Sequence, residues 1–325
     1  MRFIARRVGF LALTLWAALS LNFLLPRIMP GDPVAAAAGK LRGLPPQAIR
    51  AITIELGLTT HQSLASQYVS YLRNLATGDL GVSLANQQPV SSMIMQALPW
   101  TLGLVGLTTV LAFLLGTGIG ALAAWKRGGR LDAVLPPVFV FISAVPYFWI
   151  GLMLIMIFSS ILGWLPDSGY YDSDATPALS LSFAGDVLTH AILPSLTLLI
   201  ASIGGWILTM RNTMVTTLTE DYVRMARAKG LPSRRIMLDY AARNAILPNL
   251  TGFAMSLGFV VSGAVLVEFV FNYQGVGYLL FNAVTSADYP MMQGLFLVIT
   301  VAVLGAVVLS DIATAILDPR TRTGG

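Results

Sequence analysis

The 325-residue chain has no cysteine, two histidines and only three lysines. Each shortage removes a class of function. Without cysteine there is no disulfide framework and no thiolate zinc site. His61 and His190 lie far apart and outside HExxH spacing, so no metal site is expected. Lys40, Lys126 and Lys229 precede Leu41, Arg127 and Gly230, never Ser or Thr. That excludes a P-loop and places any ATP hydrolysis in another chain. The nearest serine elbow, Gly81 with Ser83, has Ala85 where its last glycine belongs. No catalytic residue is assigned.

Charge is equally scarce. Asp, Glu, Lys and Arg make up 11% of the chain, whereas soluble domains hold about 25%. Hydrophobic residues reach 56% and the mean hydropathy is +0.75. Thirty-five charges cannot solvate a 34.8 kDa globule, so most of the outside must face lipid. A soluble enzyme and a disordered chain are both excluded.

Six apolar stretches are long enough to cross about 30 Å of hydrocarbon as helices. They run over Val8–Ile28, Trp100–Trp125, Ala133–Leu162, His190–Met210, Leu250–Phe271 and Met291–Ile316. None alternates like a barrel strand. The third is long enough to tilt or to bend near Pro146. The first could instead be a cleaved signal peptide, but its apolar run exceeds the usual length and small residues come only at Ala35–Ala38. The fold class is therefore all-α, a polytopic membrane protein of six spans.

Basic residues orient the spans. Arg2, Arg6 and Arg7 precede the first, and Lys126, Arg127 and Arg130 separate the second and third. Arg211, Arg224, Arg227, Lys229, Arg234, Arg235 and Arg243 lie between the fourth and fifth, with Arg320 and Arg322 after the sixth. The segment 163–189 has no basic residue and carries Asp167, Asp172, Asp174 and Asp186. Both termini are expected in the cytoplasm. The net charge of +5 is thus a topology signal, and no nucleic acid is expected as a partner.

Three regions follow. Residues 1–28 form an arm and the first span, 29–98 an outer segment, and 99–325 a core of five spans with a cytoplasmic loop at 211–248. The outer segment predicts two amphipathic helices packed on the rim: one with Ile49, Ile52 and Leu56 on a face, one over 62–75 carrying Tyr68 and Tyr71. Gly116 and Gly120, four apart, suit close helix packing. His190 opens the fourth span as an interfacial cap.

Two acids fall within spans, Glu268 and Asp311, near the ends of the fifth and sixth. Interfacial or inter-subunit pairing would satisfy them; proton coupling would use them. With Ser262 they are also the only candidates for intramembrane proteolysis, without a histidine base beside them.

The loop between the fourth and fifth spans is the most informative. Glu220 and Asp221 suit a helix N-terminus, Arg227 and Lys229 a C-terminus, and Gly230 a left-handed cap. Pro232 suits the first turn of a second helix. A short capped and charged helix-turn-helix between two spans is a shape made for docking to a soluble partner.

Here the chain resembles the integral membrane permeases of binding-protein-dependent ABC importers, in particular the first permease of the dipeptide/oligopeptide/nickel branch. The resemblance rests on ARAKGL at Ala226–Leu231 and RNAILP at Arg243–Pro248. It is extended by LPRIMPGDP at Leu25–Pro33, GDLGVS at Gly78–Ser83, EFVFNYQGVGYLL at Glu268–Leu280, DYPMMQG at Asp288–Gly294 and LDPR at Leu317–Arg320. It therefore spans nearly the whole chain. Arg224, Met225 and Ala226 stand where the general coupling motif has Glu-Ala-Ala, so no role of that glutamate is carried over. Gly230 to Pro248 is five residues longer than the general form, a spacing the peptide branch shares.

The resemblance implies the type I importer architecture in a bacterial plasma (inner) membrane. Partners would be a homologous second permease, two ATP-binding subunits that hold the ATP and magnesium, an external substrate-binding protein and the lipid bilayer. This chain would hold no cofactor and be no enzyme. ATPase coupling would fall to Glu220, Asp221, Tyr222, Arg224, Ala226, Arg227, Lys229, Gly230, Arg243 and Pro248. Di- or oligopeptides are the expected substrate, with oligosaccharides or other small solutes as the alternative. A proton-coupled carrier using Glu268 and Asp311 is the rival of a different class.

Overall fold

The computed structural model describes residues 2–28, 63–178 and 180–317, with side chains over 9–25, 28, 63–178 and 180–310. The expected outer helix around Ile49, Ile52 and Leu56 lies outside the described residues, as do His61, Arg320 and Arg322. Every regular element among the described residues is helical; the nearest thing to a strand is an isolated bridge between Val82 and Pro89.

Helix α1 spans Arg2–Ile28 and α2 spans Leu64–Ala76, as the periodicity around Tyr68 predicts. The Ser63 hydroxyl caps α2 by accepting from the Ser66 N–H. The helix lies against α1 through Phe23, whose ring centroid is 5.1 Å from that of Tyr68. The Tyr68 hydroxyl lies 2.7 Å from Ser20 Oγ, and Asn22 donates to the Tyr71 hydroxyl. An amphipathic helix is thereby tied to an apolar one by its tyrosines.

Helix α3 runs continuously over Val90–Trp125 and so begins nine residues before the expected boundary at 99. Pro99 lies inside it, and a π-helical stretch over Leu102–Gly106 follows directly. Its longest partner is α6, Leu181–Thr217, a helix of 37 residues. The two approach closely where Gly116 and Gly120 face α6. A Cβ at Gly116 would stand 2.6 Å from that of Trp206, and one at Gly120 would collide with the Ile207 carbonyl. The small-residue spacing thus serves packing.

The third apolar stretch departs from a single tilted span. It forms α4 (Arg130–Ala144) and α5 (Tyr147–Ile161), bent 93° apart. Pro146 explains the break: it cannot donate in a helix and forces Val145 into extended backbone at ψ 128°. The fifth stretch is also broken. Helix α9 (Leu247–Val260) ends before Gly263, whose φ of +70° turns the chain into a short helix, α10, over Val265–Val270. A further helix, α11 (Val276–Thr285), packs on α10 and on the start of α3. The last, α12, spans Tyr289–Leu317 and packs on α9 and α1.

By length and apolarity alone, α3, α6 and α12 can cross a membrane, and the α4–α5 pair counts as a fourth crossing if taken as one span. The core divides accordingly. One apolar cluster joins the starts of α3 and α12 to α11 through Val90, Ile94, Val276, Met291 and Leu295. Another joins the opposite ends of α3 and α6 through Ala121, Ala124, Met210 and Met214.

Candidate functional site

At that second end the chain leaves α6 and builds the docking element. Helix α7 spans Asp221–Ala228, with Asp221 in its first turn and Arg227 in its last, each complementing the helix dipole. Glu220 precedes it in extended backbone and makes no side-chain cap bond; its carbonyl accepts from Val223 and Arg224 N–H. Gly230 ends the turn at φ +71°, where the left-handed region favours glycine. Pro232 stands one residue ahead of the second helix, α8 (233–245), and not within its first turn. Most of α8 is π-helical, over Ile236–Ala242.

Burial sorts the expected coupling residues into two sets. Val223 is fully buried and Ala226 is 2% exposed; they pack on Ile236 with Trp125, Leu218, Leu231 and Tyr240 around them. Tyr222, Arg224, Met225, Arg227 and Lys229 point outward. Ala226 therefore shapes the element from beneath, while Tyr222 and Arg224 are available to touch a partner. The exposed charges hardly restrain one another: Arg224 lies 3.8 Å from Asp221, and Arg235 3.8 Å from Asp239.

The underside is fixed far more firmly. Arg211 Nε donates to Asp132 Oδ1 at 2.6 Å, joining α6 to the start of α4. The Thr213 hydroxyl bonds the Ala245 carbonyl at 2.9 Å. Asn249, 1% exposed on the first turn of α9, donates to Thr117 Oγ1 at 3.0 Å and to the Trp206 carbonyl at 3.1 Å. Arg243 and Pro248, flanking this seam, are exposed. The seam beneath α7 thus ties α3, α6, α8 and α9 to one another.

The intramembrane acids stand elsewhere. Glu268 is fully buried on α10 and bonded to Thr101 on α3 and to backbone N–H on α11. Asp311 lies on α12, and its side chain is outside the described residues. Near Glu268, a cleft of about 650 Å³ opens among Tyr170, Tyr171, Asp172, His190 and Gln274. Burial pushes the Tyr170 phenol up to about 12, helped by the neighbouring Tyr171 hydroxyl, so it stays protonated and able to donate to Gln274 Oε1, 3.3 Å away. His190 sits one turn beyond Asp186, with Nδ1 3.2 Å from its carboxylate. Among the described residues there is no group of three or more metal-ligating side chains.

Sequence reasoning passed over Val223, Ile236, Tyr240 and Asn249 beneath the docking element, and Thr101 beside Glu268. A local signal existed for one of them: Val223 falls three before Ala226, the spacing of one buried helix face. Thr101 offered none, being 167 positions from its partner.

Residues 116–323 match the family described as "Binding-protein-dependent transport system inner membrane component", and residues 1–105 its N-terminal counterpart. The chain is 38% identical to a di/tripeptide transport system permease protein of Pseudomonas aeruginosa (strain UCBPP-PA14), over 98% of each. It is 32% identical to a dipeptide transport system permease protein of Escherichia coli K12, over 99% of each. With an oligopeptide transport system permease protein of Bacillus subtilis it shares 34% identity over 92% of each.

Proposed function

Since the chain belongs to the family of inner membrane components of binding-protein-dependent transport systems, we propose that it forms half of the translocation pathway of an ATP-driven importer of di- or oligopeptides. All three relatives are named for peptide transport, which favours peptides over oligosaccharides. The remaining half would come from a homologous second permease. Two ATP-binding subunits would each hold ATP and magnesium and grip one coupling helix, and an external binding protein would deliver the substrate. Six spans, with α1, the α4–α5 pair and the α9–α10 pair completing the count, would put both termini in the cytoplasm of a bacterial cell, below its plasma membrane. The division into 1–28, 29–98 and 99–325 follows that topology.

The observation that carries this reading is the two-sided build of α7, apolar and buried beneath, charged and unrestrained above. ATP-driven approach of the ATPases would press Tyr222, Arg224 and Lys229, and the buried seam would pass the motion to the spans. Reversing charge with Arg224→Glu and Lys229→Glu should abolish co-purification of the ATPases and peptide uptake while leaving the chain in the membrane. Uptake and co-purification both at wild-type levels would remove the coupling assignment.

A further inference from the structure

The end of the bundle away from α7 holds a polar knot that the coupling scheme does not use. Glu268 Oε1 accepts from the Thr101 hydroxyl at 3.0 Å, and Oε2 accepts from the Tyr278 N–H at 3.1 Å. Thr101 Oγ1 in turn accepts from the Val276 N–H at 2.7 Å. Because Glu268 is an acceptor there, the Thr101 proton must point toward it, which leaves the hydroxyl lone pairs for Val276. One carboxylate and one hydroxyl thus satisfy the first N–H groups of α11, which have no partner within their own helix.

The backbone is cut to fit this carboxylate. A Cβ on Gly263 would stand 2.8 Å from Glu268 Oε1, one on Gly277 3.1 Å from Oε2, and one on Gly275 would overlap both Oε2 and Thr101 Oγ1. Three glycines from two turns close around the group. All of its bonds lie within the chain, and they join three elements: α10, α11 and the second-span helix α3. Two of these elements, α3 and α11, also share the apolar cluster of Ile94, Ala97, Val276 and Ala283.

We infer that Glu268 and Thr101 are positioning residues that lock the α10–α11 hairpin to α3, so that this end of the pathway moves as one body when the importer changes state. This deepens the importer reading and rests on it. A proton carrier needs its carboxylate to meet water or substrate in turn; this one is committed to the Thr101 hydroxyl and the Tyr278 N–H. Glu268→Gln keeps the volume but replaces one acceptor oxygen by an amide N–H₂, which either meets the Tyr278 N–H donor against donor or leaves the Thr101 proton without its acceptor. Thr101→Val keeps the shape and removes the hydroxyl, whereas Thr101→Ser restores it.

The absence of cysteine makes the test direct. Spin labels placed through Met95→Cys on α3 and Val284→Cys on α11, both exposed, report the hairpin's distance from α3 in the assembled, reconstituted complex. The otherwise unaltered chain should give one narrow distribution, the same without nucleotide and with trapped ATP. Glu268→Gln and Thr101→Val should broaden it and cut peptide uptake at least tenfold, with ATP hydrolysis continuing but no longer stimulated by loaded binding protein. Thr101→Ser should restore all three readouts. A distance that changes between nucleotide states in the unaltered complex, or one that stays narrow in both variants, would overturn the lock. If instead the unaltered complex shows no ATP-dependent uptake, the importer reading fails while the label distances still report on the knot.

Discussion

The two ends of the bundle use opposite means to hold their shape. On the exposed face of α7 and α8 the surface is charged and loose, with ion pairs no closer than 3.8 Å, and order comes from what lies beneath it, apolar side chains and the Arg211–Asp132 and Asn249–Thr117 bonds. At the far end the polar groups are inside and fully engaged: Glu268 with Thr101 and α11, Asp288 with Ser83 and the start of α12. A docking face must present unpaired charge to a partner, whereas a hinge-free end must leave its own polar groups nothing else to bind. The difference teaches where substitutions will act through stability and where through assembly.

The largest effect is expected where the first strategy is violated from beneath. Ala226→Asp buries a carboxylate among Val223, Ile236 and Trp125 without a partner, and should cost about 3–5 kcal/mol. A thermal melt of the purified chain would register it, and a melt unchanged from wild type would mean α7 lifts off its bed. Next comes the far end. Asp288 accepts from the Ser83 hydroxyl at 2.5 Å and the Ala85 N–H at 3.0 Å, and it also receives the Met291 N–H. Asp288→Ala should leave buried donors unmatched and cost about 2–3 kcal/mol in the same melt. Gly230→Ala is expected to be milder, about 1–2 kcal/mol, from forcing a Cβ into left-handed backbone. Smallest in stability is Arg224→Ala, within about 0.5 kcal/mol, because its ion pair is long and exposed. Its effect should fall instead on the affinity for the ATPase, measured by titrating that subunit onto the reconstituted chain. A large melt shift from Arg224→Ala with unaltered ATPase affinity would dissolve the contrast between the ends.

The docking element was legible in the sequence because its signals are local: Asp221, Arg227 and Gly230 cap one short helix within ten residues. The amphipathic helix carrying Tyr68 and Tyr71 was legible for the same reason. The breaks were legible only in part. Pro146 marked where the third stretch could bend but not that the bend is 93°, and nothing in the hydropathy announced the turn at Gly263. Nor could periodicity give Val276–Thr285 its role, since ten mostly apolar residues suit a helix without saying what holds its first turn. The acid at 268 was visible as unusual, but its partner at 101 is brought beside it only by the packing of α11 on α3. Long-range polar pairs leave no spacing to read.

The 37 residues of α6 reach about 55 Å, well beyond the hydrocarbon thickness, with Thr217 beside the docking element and His190 lining the far cleft. Gly116 and Gly120 seat α3 so tightly on this rod that the pair has the stiffness of a beam. A beam amplifies: tilting it by about 5° around one end swings the other by roughly 5 Å, close to one helical turn. A small tilt at one end of such a rod would therefore displace its other end by about a helical turn, and no helix would have to unwind to do it.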